Sequence, residues 1–178
     1  MENILDELKG GDRRSIGRSE QVVKQVLADR ALFPAIVSGM LDDDHPVVRM
    51  RASDVAEKVT RRAPELLQPY KREILQIISA SPEKEVRWHI AQMLPRLRLA
   101  PNERKTAFKL LLGYLSDDSR IVRTFSMQAL ADLAMQDRAL LPEVIPLIER
   151  LTRSGSPAMI SRGRKLLSRL RMFQELEK

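Results

Sequence analysis

The chain has 178 residues, 43% of them hydrophobic and 31% charged, a composition that folds rather than stays disordered. It has no cysteine, which excludes disulfides, thiolate metal sites and a cysteine nucleophile, and its 4% of aromatics is low for a reader of stacked bases. The net charge of +7 lies wholly in the second half, since residues 1–89 hold 15 basic and 15 acidic side chains and residues 90–178 hold 16 and 9.

No apolar run approaches the ~18–20 residues of a membrane span, and the first seven residues are acidic where an export signal is basic, so a cytoplasmic protein is expected. Helical periodicity dominates from end to end, and it predicts ten helices in five pairs. The first pair spans about 2–9 and 13–29, split by Gly10-Gly11, with Asp12 as an N-cap. The second spans 31–42 and 46–61, with Pro46 in the first turn of its second helix. The third spans 65–80 and 83–98, with Ser81-Pro82 opening the latter. The fourth spans 102–116 and 119–136, capped at Asn102 and Ser119, and the fifth spans 139–153 and 157–174.

The second helices repeat one pattern. Val48-Arg49, Val86-Arg87 and Val122-Arg123 stand 38 and 36 residues apart, and a weaker copy, Ile160-Ser161, begins another 38 on from Val122. In each, apolar or small residues recur at offsets of 0, 4, 7 and 11: Val48, Ala52, Val55, Val59; Val86, Ile90, Met93, Leu97; Val122, Ser126, Ala129, Leu133. The first helices carry stripes of their own, such as Ile74, Leu75, Ile77 and Ile78. No single hairpin can hide its stripe, so hairpins must stack, and the period fixes the architecture.

With acidic turns Asp42-Asp-Asp44 and Asp117-Asp118, the Val-Arg-x-x-Ala pattern and prolines at 69 and 142 inside first helices, the chain resembles the HEAT-repeat family over nearly its whole length. The resemblance implies an all-α fold, a right-handed α-α superhelical solenoid of about five hairpins with units near 1–30, 31–62, 63–99, 100–137 and 138–178, forming one domain. It implies kinks at Pro69 and Pro142, and a concave face, built from the second helices, that binds a partner. It transfers no site, because packing residues define the family.

Several residues are candidate contacts or ties. Arg49, Arg87 and Arg123 recur at equivalent turns; they form either a basic ladder for an acidic ligand or ties to the turns at Asp43, Asp44, Glu83, Asp117 and Asp118, and the ties are the expected role. Trp88, His89, Gln92 and Arg51 stand on second helices off the buried stripe and are candidate partner contacts; Trp88 is either a contact anchor or packing for the next hairpin. The last helix places Met159, Leu166, Leu167, Leu170 and Phe173 on one face and Arg162, Lys165 and Arg169 on another. From Arg150 to Arg171 there are seven basic residues and no acid, so this segment either caps the array or meets an anion such as a phosphate backbone.

Catalysis finds little support in the sequence. No Gly-rich phosphate loop or nucleophile elbow is present, and His45 and His89 lack second ligands at metal spacing, so neither cofactor nor metal is expected. The HEAT-like alkylpurine DNA glycosylases use tryptophan beside an essential aspartate; here the residue one turn after Trp88 is Gln92, and Asp54 and Asp132 have no aromatic beside them in the pattern. The expected function is a non-catalytic scaffold with a protein partner, the alternative being a nucleic-acid-binding module that uses Arg150–Arg171.

Overall fold

The computed structural model describes residues 3–12, 15–42, 44–77 and 81–175; Asp43, Ile78, the Ile77 side chain and the predicted helical positions 13, 14, 79 and 80 lie outside this description. All regular elements among the described residues are helical. They fall into two compact units, Met1–Arg98 and Leu99–Lys178, divided at the boundary between the third and fourth repeats.

The first unit opens with a 3-10 turn, Ile4–Leu8, followed by α1 (Ser19–Ala28), α2 (Phe33–Met40), α3 (Pro46–Arg62), α4 (Lys71–Ile77) and α5 (Lys84–Met93). Helix α3 starts at Pro46 as expected and stops before Ala63-Pro64, since a residue preceding proline avoids helical angles. Pro64 and Pro69 hold Pro64–Tyr70 in a 3-10 turn, so the predicted 65–80 helix is α only from Lys71. Pro95 likewise ends α5 at Met93, with a 3-10 turn beyond. Val48, Ala52, Val55 and Val59 are all buried, as are Val86, Ile90, Met93 and Leu97. Helices α1, α3 and α5 pack side by side, and α2 packs on α3.

One predicted element is shorter than the pattern suggested. The helix placed at 13–29 begins at Ser19, and its N-cap position is Arg18 rather than Asp12. Gly10 and Gly11, the expected break, and Gly17, expected within the helix, have φ of +73°, +74° and +54°, left-handed values, and the loop they build reaches into the segment expected to be helical. The loop wraps the Arg51 guanidinium, which donates to the carbonyls of Leu8 (2.8 Å), Gly10 (2.6 Å), Asp12 (3.0 Å) and Ser15 (3.1 Å). Arg51 is 2% exposed, so it holds the N-terminal loop and is not a surface available to a partner.

The second unit contains α6 (Pro101–Tyr114), α7 (Arg120–Gln136), α8 (Leu141–Ser154) and α9 (Pro157–Glu175). Ser119 caps α7, accepting from the Val122 N–H. Asn102 does not cap α6; the cap is Ala100, whose N–H donates to Glu103 Oε2 at 2.7 Å. Pro142 lies in the first turn of α8, where its missing N–H has no intrahelical acceptor to lose, and the interior proline is Pro146. Val122, Ser126, Ala129 and Leu133 are buried, and α9 buries Met159, Gly163, Leu166 and Leu170 at the same offsets. Met159 thus holds the third position of its helix, as Val48, Val86 and Val122 do, and the fourth copy runs one residue earlier than Ile160-Ser161 suggested. Helix α7 packs against α6, α8 and α9. A Cβ on Gly163 would overlap Thr152 Oγ1 and lie 2.6 Å from Met127 Cε, so only glycine allows α9 to seat this closely.

Candidate binding face

Opposite the α3 stripe runs a second row, Met50, Asp54, Glu57 and Arg61, again at offsets of 0, 4, 7 and 11. Glu85, Trp88 and His89 of α5 line a shared cavity with Met50 and Asp54 of this row. Lys58 Nζ donates to Asp54 Oδ2 at 2.9 Å and also pairs with Glu20 of α1. Glu57, 2% exposed, accepts from Arg61 and from Arg96, and these guanidiniums hold its carboxyl below the ordinary range although burial acts to raise it. Two of the buried positions of this row, Asp54 and Glu57, are therefore charged groups tied between neighbouring hairpins, and the third is Met50.

Ser15, Ile16, Met50, Arg51, Asp54, Glu85, Trp88 and His89 line a cavity of about 190 Å³. Trp88 is half-buried there, in edge contact with His89 at 5.4 Å between ring centroids, and Ile16 is 49% exposed at the rim. Asp54 and Trp88 thus share one cavity, although they sit on different helices 34 residues apart. Spacing within a single helix could not reveal that juxtaposition. The cavity supplies an aromatic wall and a carboxylate, the pair that the sequence lacked, but Asp54 is already neutralised by Lys58.

Ser53, His89 and Asp54 invite comparison with an acyl-transfer triad. His89 Nδ1 is 2.9 Å from Ser53 Oγ, and His89 Nε2 is 3.6 Å from Asp54 Oδ1, too long for a hydrogen bond. Ser53 is fully buried and its hydroxyl donates to the Met50 carbonyl at 2.7 Å, so no substrate carbonyl can reach it. Burial pushes His89 down to about 4, outweighing Asp54 and Glu57, and the ring is neutral at pH 7. His89 is therefore chiefly a packed core group, and Gln92, which donates to the Trp88 carbonyl at 3.3 Å, is half-buried.

In the second unit the equivalent α7 positions are Thr124, Gln128, Ala131 and Met135, with Phe125 and Asp132 one residue further along from Thr124 and Ala131. Arg162 of α9 donates to Gln128 Oε1 at 2.8 Å with its guanidinium 5.9 Å from the Phe125 ring, and Gln128 donates to both oxygens of Asp132. Arg169 Nη1 lies 3.8 Å from Asp132, whose carboxyl burial raises. Arg171 pairs with Glu149 at 2.7 Å. Three of the seven cations in the basic segment thus contact groups of the protein itself, while Arg150, Arg153, Arg164 and Lys165 are exposed.

The three repeated arginines have different surroundings. Arg49 donates to Glu83 of the following hairpin at 2.5 and 3.2 Å and to the Asp42 carbonyl at 2.5 Å. Arg87 donates to the carbonyls of Ser81 and Pro82. Asp42, rather than Asp44, organises its turn by accepting from the Asp44 and His45 N–H groups. Asp117 accepts from the Ser119 N–H at 2.8 Å, Asp118 is exposed, and Arg123 Nε is enclosed without a hydrogen-bond partner. The expected tie thus forms from Arg49 to the next hairpin and does not form from Arg123 Nε to its own turn.

No protein-family model matches the sequence, and no curated protein does. Solved structures do resemble it. One engineered protein shares 15% identity with a TM-score of 0.66 over 95% of this chain and 80% of that one. A second engineered protein shares 14% with a TM-score of 0.64 over 96% and 78%. A designed armadillo repeat protein shares 13% with a TM-score of 0.62 over 96% and 86%. At such identities the likeness concerns the fold, which is an all-α solenoid of the helical-repeat, armadillo type. Among the described residues no helix is long and apolar enough to cross a membrane.

Proposed function

We propose that this chain is a non-catalytic binding module of the HEAT type, taking a protein partner on the second-helix face with Trp88 as its anchor. The observation that carries the reading is the Trp88 cavity, which a half-buried indole lines together with Ile16, Met50 and the carboxylate of Glu85, Asp54 being held by Lys58. Tryptophan is a common source of interface energy, and an indole beside an acid suits a basic side chain by cation–π contact and charge. The chemistry expected of the partner is therefore an arginine or lysine in an apolar setting. The nucleic-acid reading has less support, because the basic segment's cations are partly engaged within the protein.

Trp88 is the one tryptophan of the chain, so its emission reports on the proposed site directly. Peptides with arginine flanked by leucines should change that emission saturably, while glutamate counterparts and a DNA duplex should not. Calorimetry with Trp88→Ala should lose the binding. Equal affinity in Trp88→Ala, or a preference for the acidic peptide or the duplex, overturns the reading.

A further inference from the structure

The internal repeat supplies its own comparison. Val48-Arg49 and Val122-Arg123 occupy the third and fourth positions of α3 and α7. In the first unit the N-cap residue of the following second helix is Glu83, and its carboxylate, 4% exposed, closes on the Arg49 guanidinium. In the second unit the equivalent residue is Ser156, which precedes α9 and accepts from the Met159 N–H at 3.4 Å. The carboxylate is gone from that position. What stands there is a cavity of about 350 Å³ lined by Arg120, Arg123, Ser154, Gly155 and Ser156, with Leu151 and Met159 behind.

No acid lines this cavity. The Nε of Arg123 is shut off from solvent and has no hydrogen-bond partner, and Arg120 is exposed at the rim. The Ser154 hydroxyl is committed to the Arg150 carbonyl, whereas Ser156 Oγ accepts from Met159 and keeps its proton to donate. A Cβ on Gly155 would overlap the Leu151 carbonyl and lie 2.8 Å from Met159 Cβ, so the wall keeps its shape only with glycine.

We propose that this cavity is an oxyanion site, in which the phosphate group of a small phosphate ester or of inorganic phosphate takes the place that the Glu83 carboxylate fills beside Arg49. Two guanidiniums with no acid match a dianion better than a single carboxylate, and arginine's fork bonds phosphate in a bidentate manner. The Arg120 and Arg123 side chains that line the cavity supply the positive charge, and the Ser156 hydroxyl supplies a further donor. This site lies within the second unit and is independent of the Trp88 reading.

The test compares thermal stability and 31P line broadening in the wild type with inorganic phosphate, glycerol phosphate and acetate at matched ionic strength. Phosphate and glycerol phosphate should raise Tm by several degrees and acetate should not. Arg123→Gln should lose at least tenfold in phosphate affinity. Ser156→Glu, which restores the internal carboxylate, should raise Tm without ligand and abolish the response to phosphate. A phosphate response that survives in both variants, or none beyond that of acetate, overturns the proposal. Because Ser156→Glu is expected to be more stable than the wild type, a folding defect in Arg123→Gln does not remove the test.

Discussion

Arg49 and Glu83, 34 residues apart, close a two-point pair across successive hairpins, with Nη2 2.5 Å from Oε1 and Nε 3.2 Å from Oε2. The side chains are 13% and 4% exposed, so the pair is shielded far more than a surface ion pair. Burial acts to raise the Glu83 carboxyl, but the Arg49 guanidinium overrides it and holds the group below its ordinary value of 4.5. A depressed carboxyl contributes stability above the unfolded value and loses it as pH falls through the folded one. Glu83→Ala should cost about 2–3 kcal/mol, and a double-mutant cycle with Arg49→Ala should return a coupling of about 1–3 kcal/mol from urea midpoints. A coupling below about 0.5 kcal/mol would show that the tie contributes little.

His89 gives the fold an acid-side weakness that begins at milder pH. Its folded value of about 4 lies below the ordinary 6.5, so the unfolded chain binds the proton first. Stability from the neutral ring is complete above 6.5, is lost as pH falls from 6.5 toward 4, and is constant below. The full loss is about 2–4 kcal/mol, and Asp54, Glu57, Lys58 and Arg61 are the charged groups that modulate it. His89→Gln should flatten the slope of unfolding free energy between pH 6.5 and 4.5. An unchanged slope would assign the effect to other groups.

Two glycines should respond to alanine with opposite signs. Gly163→Ala forces a methyl into Thr152 and Met127 and should cost about 1–3 kcal/mol by overpacking. Gly113, in α6, has nothing within 4 Å of its added Cβ, and Gly113→Ala should gain about 0.5–1 kcal/mol. Thermal melts of the two variants decide both signs.

Arg51 should matter to the N-terminal loop more than to any ligand. Arg51→Met removes the donors to four carbonyls and should cost about 2–3 kcal/mol. Hydrogen exchange should show amide protection lost first over residues 3–12 and 15–18. Uniform loss across the unit would contradict this account of its role.

Legibility followed the physics of each segment. Long second helices were readable because burial at offsets of 0, 4, 7 and 11 writes itself into the residues: Val48 to Val59 and Val122 to Leu133 lie on the faces expected. The Gly10-Gly11 break was readable too, but the non-helical backbone at 15–17 was not, because it depends on Arg51, which is 34 residues beyond Gly17. Proline positions were visible but their effects were not. Pro69 falls in a 3-10 turn and Pro142 sits harmlessly in a first turn. The Trp88 cavity was half legible: an off-stripe tryptophan could be read, but Asp54 and Ile16 arrive from other segments of the chain. The unpartnered Nε of Arg123 was hidden because Asp117 and Asp118 precede it in sequence as an acidic turn of the kind expected to tie it.

The most direct measurement is photo-crosslinking to the arginine–leucine peptide from two positions, Gln92 on the second-helix face and Lys109, exposed on α6. The account predicts adducts from position 92 that disappear in the Trp88→Ala background, and none from position 109. Crosslinking from position 109 alone, or equal yield from both, would contradict a binding face built from the second helices.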